Sequence, residues 1–242
     1  MRRALLTFLL VLSWPAAADA ATVKVVDCVP ALARAERSAT FEARVRAVPE
    51  TERMQVRFTL LVRAEGPDAR WRRVVAAGFD EWLTSDAGVR RYVYDRTVSN
   101  LAAPAGYRTQ VRFRWLEADG AVARSARATS ATCRQPDLRP DLVPIGLEVA
   151  PGPDDDTRRY TAVLRNEGRS DAAAFTVALA GAEPEPAPVA VARLAAGAQR
   201  TVAFTGPACV AGERVSVALD PLEQVDERNE EDNALAVPCP AP

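Results

Sequence analysis

Two acidic stretches hold most of the residues in this sequence that could do chemistry. The first, "DERNEEDN" at residues 226–233, sets Asp226, Glu227, Glu230, Glu231 and Asp232 around Asn229 and Asn233. With Asp220 upstream, the carboxylates of Asp220, Asp226, Glu230 and Asp232 are candidate calcium ligands, because calcium takes several oxygens converging at about 2.4 Å. The run lacks the glycine and the alternating acid spacing that wrap a calcium loop around its ion, so no metal and no cofactor is expected. The preferred reading is a solvated connection. Its charges resist edge-to-edge strand pairing, Asn229 and Asn233 suit left-handed backbone and local main-chain bonds, and Val225 tucks beneath as an apolar anchor. "PDDDTRR", with Asp154, Asp155 and Asp156, is read the same way, as a loop tip.

The second stretch, "GFDEWL", places Asp80 and Glu81 between Phe79 and Trp82. Two carboxylates can hydrolyse a glycosidic bond, and this is the one acidic pair flanked by aromatics. Adjacent residues of a strand point to opposite faces, however, which is wrong for a shared substrate. Other catalytic classes are excluded by composition. The chain has no histidine, which removes Ser-His-Asp and Cys-His catalysis, histidine metal ligation and the usual neutral-pH proton shuttle. There is no phosphate-binding glycine loop and no dinucleotide fingerprint.

Arginine offers a different chemistry. Arg44, Arg46, Arg57, Arg112 and Arg114 alternate with apolar residues in "TFEARVRAV", "MQVRFTLLVR" and "YRTQVRFRWLE". Such period-two alternation marks half-buried antiparallel strands, so these arginines face outward while Val111, Phe113 and Trp115 face the core. Arg57 shares a face with Arg112 or Arg114 if their strands are neighbours. Guanidinium groups recognise phosphate and carboxylate, which makes these five the candidate residues for an anionic ligand.

The elements that must position these side chains are strands. Residues 1–20 read as a secretory signal peptide: Arg2 and Arg3, the apolar "ALLTFLLVLSW", then "PAAADAA" with cleavage after Ala20. Cys28 stands too far beyond that point for a lipoprotein, and no second stretch approaches membrane-spanning length. An exported chain with an even number of cysteines reads as disulfide-bonded. Four cysteines allow three pairings. Cys28–Cys133 with Cys209–Cys239 is expected, because each pair then lies inside one domain; the first closes a loop worth about 4 kcal/mol. The domain boundary falls at "CRQPDLRPDLVP", a stiff segment with Pro136, Pro140 and Pro144. Residues 21–135 carry 20 basic and 13 acidic side chains, and residues 136–242 carry 9 and 18, an asymmetry that also argues for two domains.

Leu101 and Tyr107, in "NLAAPAGYRTQ", stand just before a strand. They resemble the tyrosine corner of immunoglobulin and fibronectin type III sandwiches, in which the phenol bonds backbone at a turn. Asp119-Gly120 is a hairpin turn. Residues 136–242 hold seven strand candidates separated by "NEG", "GAEPEPAP" and "AAGAQ". Here "PDLRPDLVPIGLEV", "VLRNEGRSDAAAFTVAL", "RLAAGAQRTVAF" and "ALDPLEQVDERNEEDN" follow in order. Together they resemble CARDB, the cell-adhesion-related domain found in bacteria. That resemblance implies a seven-stranded immunoglobulin-like sandwich on an exported bacterial protein and, loosely, an adhesive role; Cys209 and Cys239 depart from the family pattern. No convincing helix is found, the best candidate being "DEWLTSDAG".

The expected protein is therefore all-β: two tandem immunoglobulin-like β-sandwiches, 21–135 and 136–242, after a cleaved signal peptide. It is secreted, extracellular or envelope-associated, and has no membrane span after cleavage. It is expected to be a non-enzymatic binding or adhesion protein or surface spacer. Its expected partner is an anionic cell-envelope polymer or another surface protein, and not nucleic acid. The alternative is an extracellular carboxylate hydrolase using Asp80 and Glu81.

Overall fold

The structure, a computed structural model, describes residues 20–241; the expected signal peptide, apart from Ala20, lies outside them. Two compact units meet at Pro136 and Asp137, and both are built from antiparallel strands.

The first unit pairs two sheets. One joins β1 (Ala21–Val29), β2 (Ser38–Arg46) and β6 (Arg91–Ser99) in the order β1-β2-β6. The other runs β4 (Arg72–Val74), β3 (Arg53–Ala64), β7 (Ala105–Leu116), β8 (Val122–Thr129). To it are added β5 (Leu83–Thr84) on β3 and β9 (Cys133–Gln135) on β7. Alternation puts Phe41, Val45, Met54, Val56, Phe58, Phe113 and Trp115 between the sheets. Trp115 is fully buried, and its indole N–H donates to the Arg46 carbonyl across the sandwich at 2.7 Å, which spares a polar group the cost of burial without a partner.

The tyrosine corner forms as expected. The Tyr107 hydroxyl accepts from the Ala102 N–H (2.8 Å) and donates to the Ala102 carbonyl (3.2 Å), with Leu101 buried beside it. Asp119 and Gly120 close the β7–β8 hairpin, Gly120 taking a φ of 87° that a side chain would strain. The "DEWLTSDAG" stretch contains β5 rather than a helix. The short 3-10 turn of the unit is Arg34–Glu36, which the alternation did not reveal. The Cys28–Cys133 disulfide ties β1 to β9.

In the second unit β10 (Leu142–Pro151), β11 (Thr157–Asn166) and β14 (Gln199–Pro207) form one sheet. β12 (Phe175–Ala180), β13 (Val189–Val191), β15 (Arg214–Leu219) and β16 (Ala234–Pro238) form the other, in the order β13-β12-β15-β16. Tyr160, Leu164, Phe175, Leu179 and Leu219 fill the space between them. Cys209–Cys239 fastens the end of the β15–β16 hairpin.

A polar residue organises one end of this core. Asn166 is fully buried. Its carbonyl oxygen accepts from the Asp141 and Gly168 N–H groups (3.1 and 3.0 Å), and its amide donates to the Ser170 and Leu194 carbonyls (2.8 and 3.0 Å). Gly168 lies against the backbone of Arg139 and Pro140, where a Cβ would come within 2.5 Å. Asn166→Ala should destabilise the second unit by about 3 kcal/mol or more, since it orphans several buried backbone groups at once. Tyr107→Phe should cost the first unit about 1 kcal/mol. Trp71, Trp82 and Trp115 all lie in the first unit, so denaturant unfolding followed by tryptophan fluorescence should register Tyr107→Phe. Far-UV circular dichroism should also show the loss in Asn166→Ala.

Candidate functional site

The outer face of the β3-β7-β8 sheet follows from burial on its inner face. Val111, Phe113 and Trp115 point inward, so Arg108, Gln110, Arg112 and Arg114 must point outward. The register then lines up like with like. Arg57, Arg112 and Arg127 stand directly opposite one another on three adjacent strands, and Gln55, Arg114 and Ser125 make the next row. Further along lie Thr59, Gln110 and Thr129, then Leu61 and Arg108, then Arg63 with Gly106 and Arg134 of β9. None of these outward strand positions carries a carboxylate.

Tryptophan holds part of this charge in place. The Arg114 guanidinium lies 4.1 Å from the Trp82 ring centre and that of Arg57 lies 5.9 Å from it, within cation–π range. An open cleft of about 490 Å³ is lined by Trp82, Arg112, Phe113, Arg114, Ser125, Ala126 and Arg127. Arg127 could have been found opposite Arg112 by counting outward from the Asp119-Gly120 turn; Arg57 could not be placed beside them, because the β3–β7 register is a tertiary fact.

The other two candidate arginines lie elsewhere, on the outer face of the β1-β2-β6 sheet. Arg44 donates to Glu42 at 2.5 Å, and Lys24 pairs with the same carboxylate at 3.2 Å. The hydrogen bond from Arg44 holds the Glu42 carboxyl below its usual range. Arg46 stands opposite Arg91 beside a separate cleft. The five candidates thus divide into Arg57, Arg112 and Arg114 on one sheet face, of which Arg57 alone reaches a carboxylate, Asp80, and a second group in which Arg44 is neutralised.

Asp80 and Glu81 occupy the loop before β5. Asp80 accepts from the Thr59 hydroxyl (2.7 Å) and pairs with Arg73 at 2.8 Å, Arg57 standing further off at 3.8 Å. Its backbone is left-handed, with φ 65°. Glu81 is exposed. Asp80 is therefore engaged as a brace between the loop and β3.

The acidic run of the second unit is also engaged. Asp226 pairs with Arg139 at 2.8 Å, Asp220 accepts from the Val225 N–H at 2.7 Å, and Glu230 accepts from the Glu227 N–H at 2.9 Å. Among the described residues no three His, Cys, Asp or Glu side chains form a group that could hold a metal ion; Asp220 and Glu230 line one open cleft, of which Asp226 and Asp232 are not part. Val225 is buried in the core as expected. The left-handed residues are Asp220 (φ 44°) and Glu223 (φ 50°), not Asn229 and Asn233. Asp154, Asp155 and Asp156 form an exposed turn.

The run is not wholly solvated, because Glu227 is 1% exposed. Its carboxylate accepts from the Leu142 N–H at the start of β10 and from the Asn233 amide (3.1 Å). Arg228 pairs with the buried Asp141, and its N–H donates to the Pro140 carbonyl at 2.8 Å. The opening segment of the unit is thereby sewn to its closing loop. Burial pushes the Glu227 carboxyl up to about 7, with the neighbouring Glu230 and Asp220 carboxylates adding to the rise.

The CARDB family model matches residues 139–237, the stretch that runs from this opening segment through the closing loop to β16. Residues 139–237 are a CARDB domain. Similar solved structures include a domain described as a cell surface protein of Methanosarcina acetivorans, at 26% identity, covering 43% of this chain and 94% of that one with a TM-score of 0.38. A CARDB domain from Pyrococcus furiosus, in complex with di-metal ions, is 21% identical and covers 40% of this chain and 84% of that one, with a TM-score of 0.33. A chaperone–tip adhesin pre-assembly complex of Acinetobacter baumannii pili is 10% identical and covers 83% and 91%, with a TM-score of 0.27. No curated protein matches the chain.

Within the CARDB domain, the Asn-x-Gly turn and the acidic closing signature meet at the opening segment: Asn166 binds the Asp141 N–H and Glu227 the Leu142 N–H. Because the folded pKa of Glu227 lies above its ordinary 4.5, the folded domain binds the proton more tightly than the unfolded chain. This contribution to stability is complete below about pH 4.5 and is lost as pH rises through about 7. Circular dichroism melts across that window should show the wild type losing stability with rising pH relative to Glu227→Gln, whose profile should be flatter.

Proposed function

We propose that the chain is an exported, non-catalytic binding protein that holds an anionic polymer of the cell envelope on the arginine face of its first unit, with the CARDB domain as an adhesive or spacing module. The observation that carries this reading is the row Arg57–Arg112–Arg127, which has no carboxylate in register. Like charges directly opposite on neighbouring strands are destabilising. A row of three arginines is therefore a cost to the fold that an anionic partner would remove, and guanidinium forks suit phosphate and carboxylate groups. The tilt of Arg114 onto Trp82 lowers the entropy lost when an anion binds.

An extracellular setting is supported by the two disulfides and by the CARDB match. Among the described residues no helix is long and apolar enough to cross a membrane. The hydrolase alternative is disfavoured because Asp80 is already committed to Thr59 and Arg73.

On immobilised polygalacturonate at about 0.15 M salt, the purified chain should be retained. The double variant Arg112→Gln/Arg127→Gln should elute at clearly lower salt while gaining a few tenths of a kcal/mol in stability, about the size of a relieved cross-strand repulsion. Arg44→Gln/Arg46→Gln should elute like the wild type. Equal retention of all three proteins, or none at all, would refute the reading.

A further inference from the structure

The arginine–tryptophan arrangement occurs twice on this sheet face. At one end Arg57 of β3 and Arg114 of β7 lie against Trp82, at 5.9 and 4.1 Å. At the other, Arg63 of β3 and Arg108 of β7 lie against Trp71, at 5.1 and 3.9 Å. The two pairs stand in the same diagonal relation. Arg114 is two residues beyond the register partner of Arg57, and Arg108 is two residues beyond the register partner of Arg63. The stations are six residues apart along β7, a separation of about 20 Å on an extended strand.

Each station gathers more positive charge from a neighbouring strand. Arg112 and Arg127 flank the first, and Arg134 of β9 lies in register with Gly106 beside the second. Between the stations the β7–β8 half of the face presents Gln110 and Thr129, neutral groups that can hydrogen-bond. Asp80 sits on the β3 side against Thr59 and Arg73, and the outward strand positions of the β7–β8 side carry no carboxylate.

Resting on the anion-binding reading above, we infer that the ligand is a linear, non-aromatic polyanion that lies along β7 and engages both arginine–tryptophan stations at once. A single compact anion would reach only one station. A chain carrying carboxylate, sulfate or phosphate groups at intervals spans both, and the second contact becomes intramolecular, which raises affinity without any new type of contact. Stacked bases are disfavoured because both tryptophan rings already carry guanidinium groups.

Titration calorimetry of the full mature chain distinguishes the possibilities. The probes are digalacturonate and long polygalacturonate for carboxylates, pyrophosphate and long-chain polyphosphate for phosphates, and oligothymidylate as the aromatic competitor. Concentrations are expressed per repeat unit. The long form of the preferred chemistry should bind about a hundredfold more tightly than its dimer. Arg63→Gln/Arg134→Gln should abolish that gain and leave dimer binding unchanged, whereas Arg112→Gln/Arg127→Gln should weaken both. The polymer that shows the length-dependent gain identifies the source of the anion. Equal affinity for dimer and polymer would overturn the two-station inference while leaving anion binding intact. Tighter binding of oligothymidylate than of either polymer would overturn the assignment to a non-aromatic chain. Binding of no probe would remove the anion-binding reading itself.

Discussion

Burial of Phe113 and Trp115 on one side of β7 governs the first unit. These rings, with Val111, fill the space between the sheets, and a buried aromatic side chain contributes roughly 2–3 kcal/mol each by loss of water-exposed apolar surface. A pleated strand cannot bury every second residue without presenting the others to solvent. Once the rings are in, Arg112 and Arg114 have no freedom of side. The neighbouring strands obey the same rule through Val56 and Phe58 on β3 and through Ala126 and Ala128 on β8. A one-residue slip in either pairing would turn an apolar set outward, so the core that fixes the register also fixes the arginine row. The charge repulsion of that row is carried by the packing beneath it.

The two units handle charge in opposite ways. On the β3-β7-β8 face Arg57, Arg63, Arg108 and Arg114 lie against tryptophan rings, and among the described residues the ion pairs there are those of Arg57 and Arg73 with Asp80. In the CARDB domain three acids, Asp141, Asp220 and Glu227, are turned inward. Glu227 and Asp220 accept from backbone N–H groups and Asp141 pairs with an arginine, and Arg139 bridges Asp137 and Asp226. A buried carboxylate is costly unless it is protonated or well bonded, and burial raises the carboxyls of both Glu227 and Asp141. The closing signature of the CARDB domain is thus a fastening of the chain's opening segment.

Particular residues show how far the primary structure could be read. Alternation identified β2, β3 and β7, because period two survives any later packing, and turn residues separated the seven strands of the CARDB domain. Tyr107 and the Asp119-Gly120 turn were legible because their chemistry is local, and the two disulfides followed from keeping each pair within one domain. Glu227 was not legible: in sequence it is one acid among five, and only the approach of Leu142 and Asn233 takes it out of water. The same holds for the second arginine–tryptophan station, since Trp71 and Arg108 are far apart along the chain.

What the chain determines by itself is which residues must leave water and with what period, and therefore that it forms paired layers of strands with arginine outside. Which arginines become neighbours, and which acids are buried, was decided only by strand register and by the meeting of distant loops. The physical reason is range. Hydrophobic alternation and turn chemistry act over a few residues, whereas a charge row or a buried carboxylate depends on groups that folding brings within hydrogen-bonding or cation–π distance.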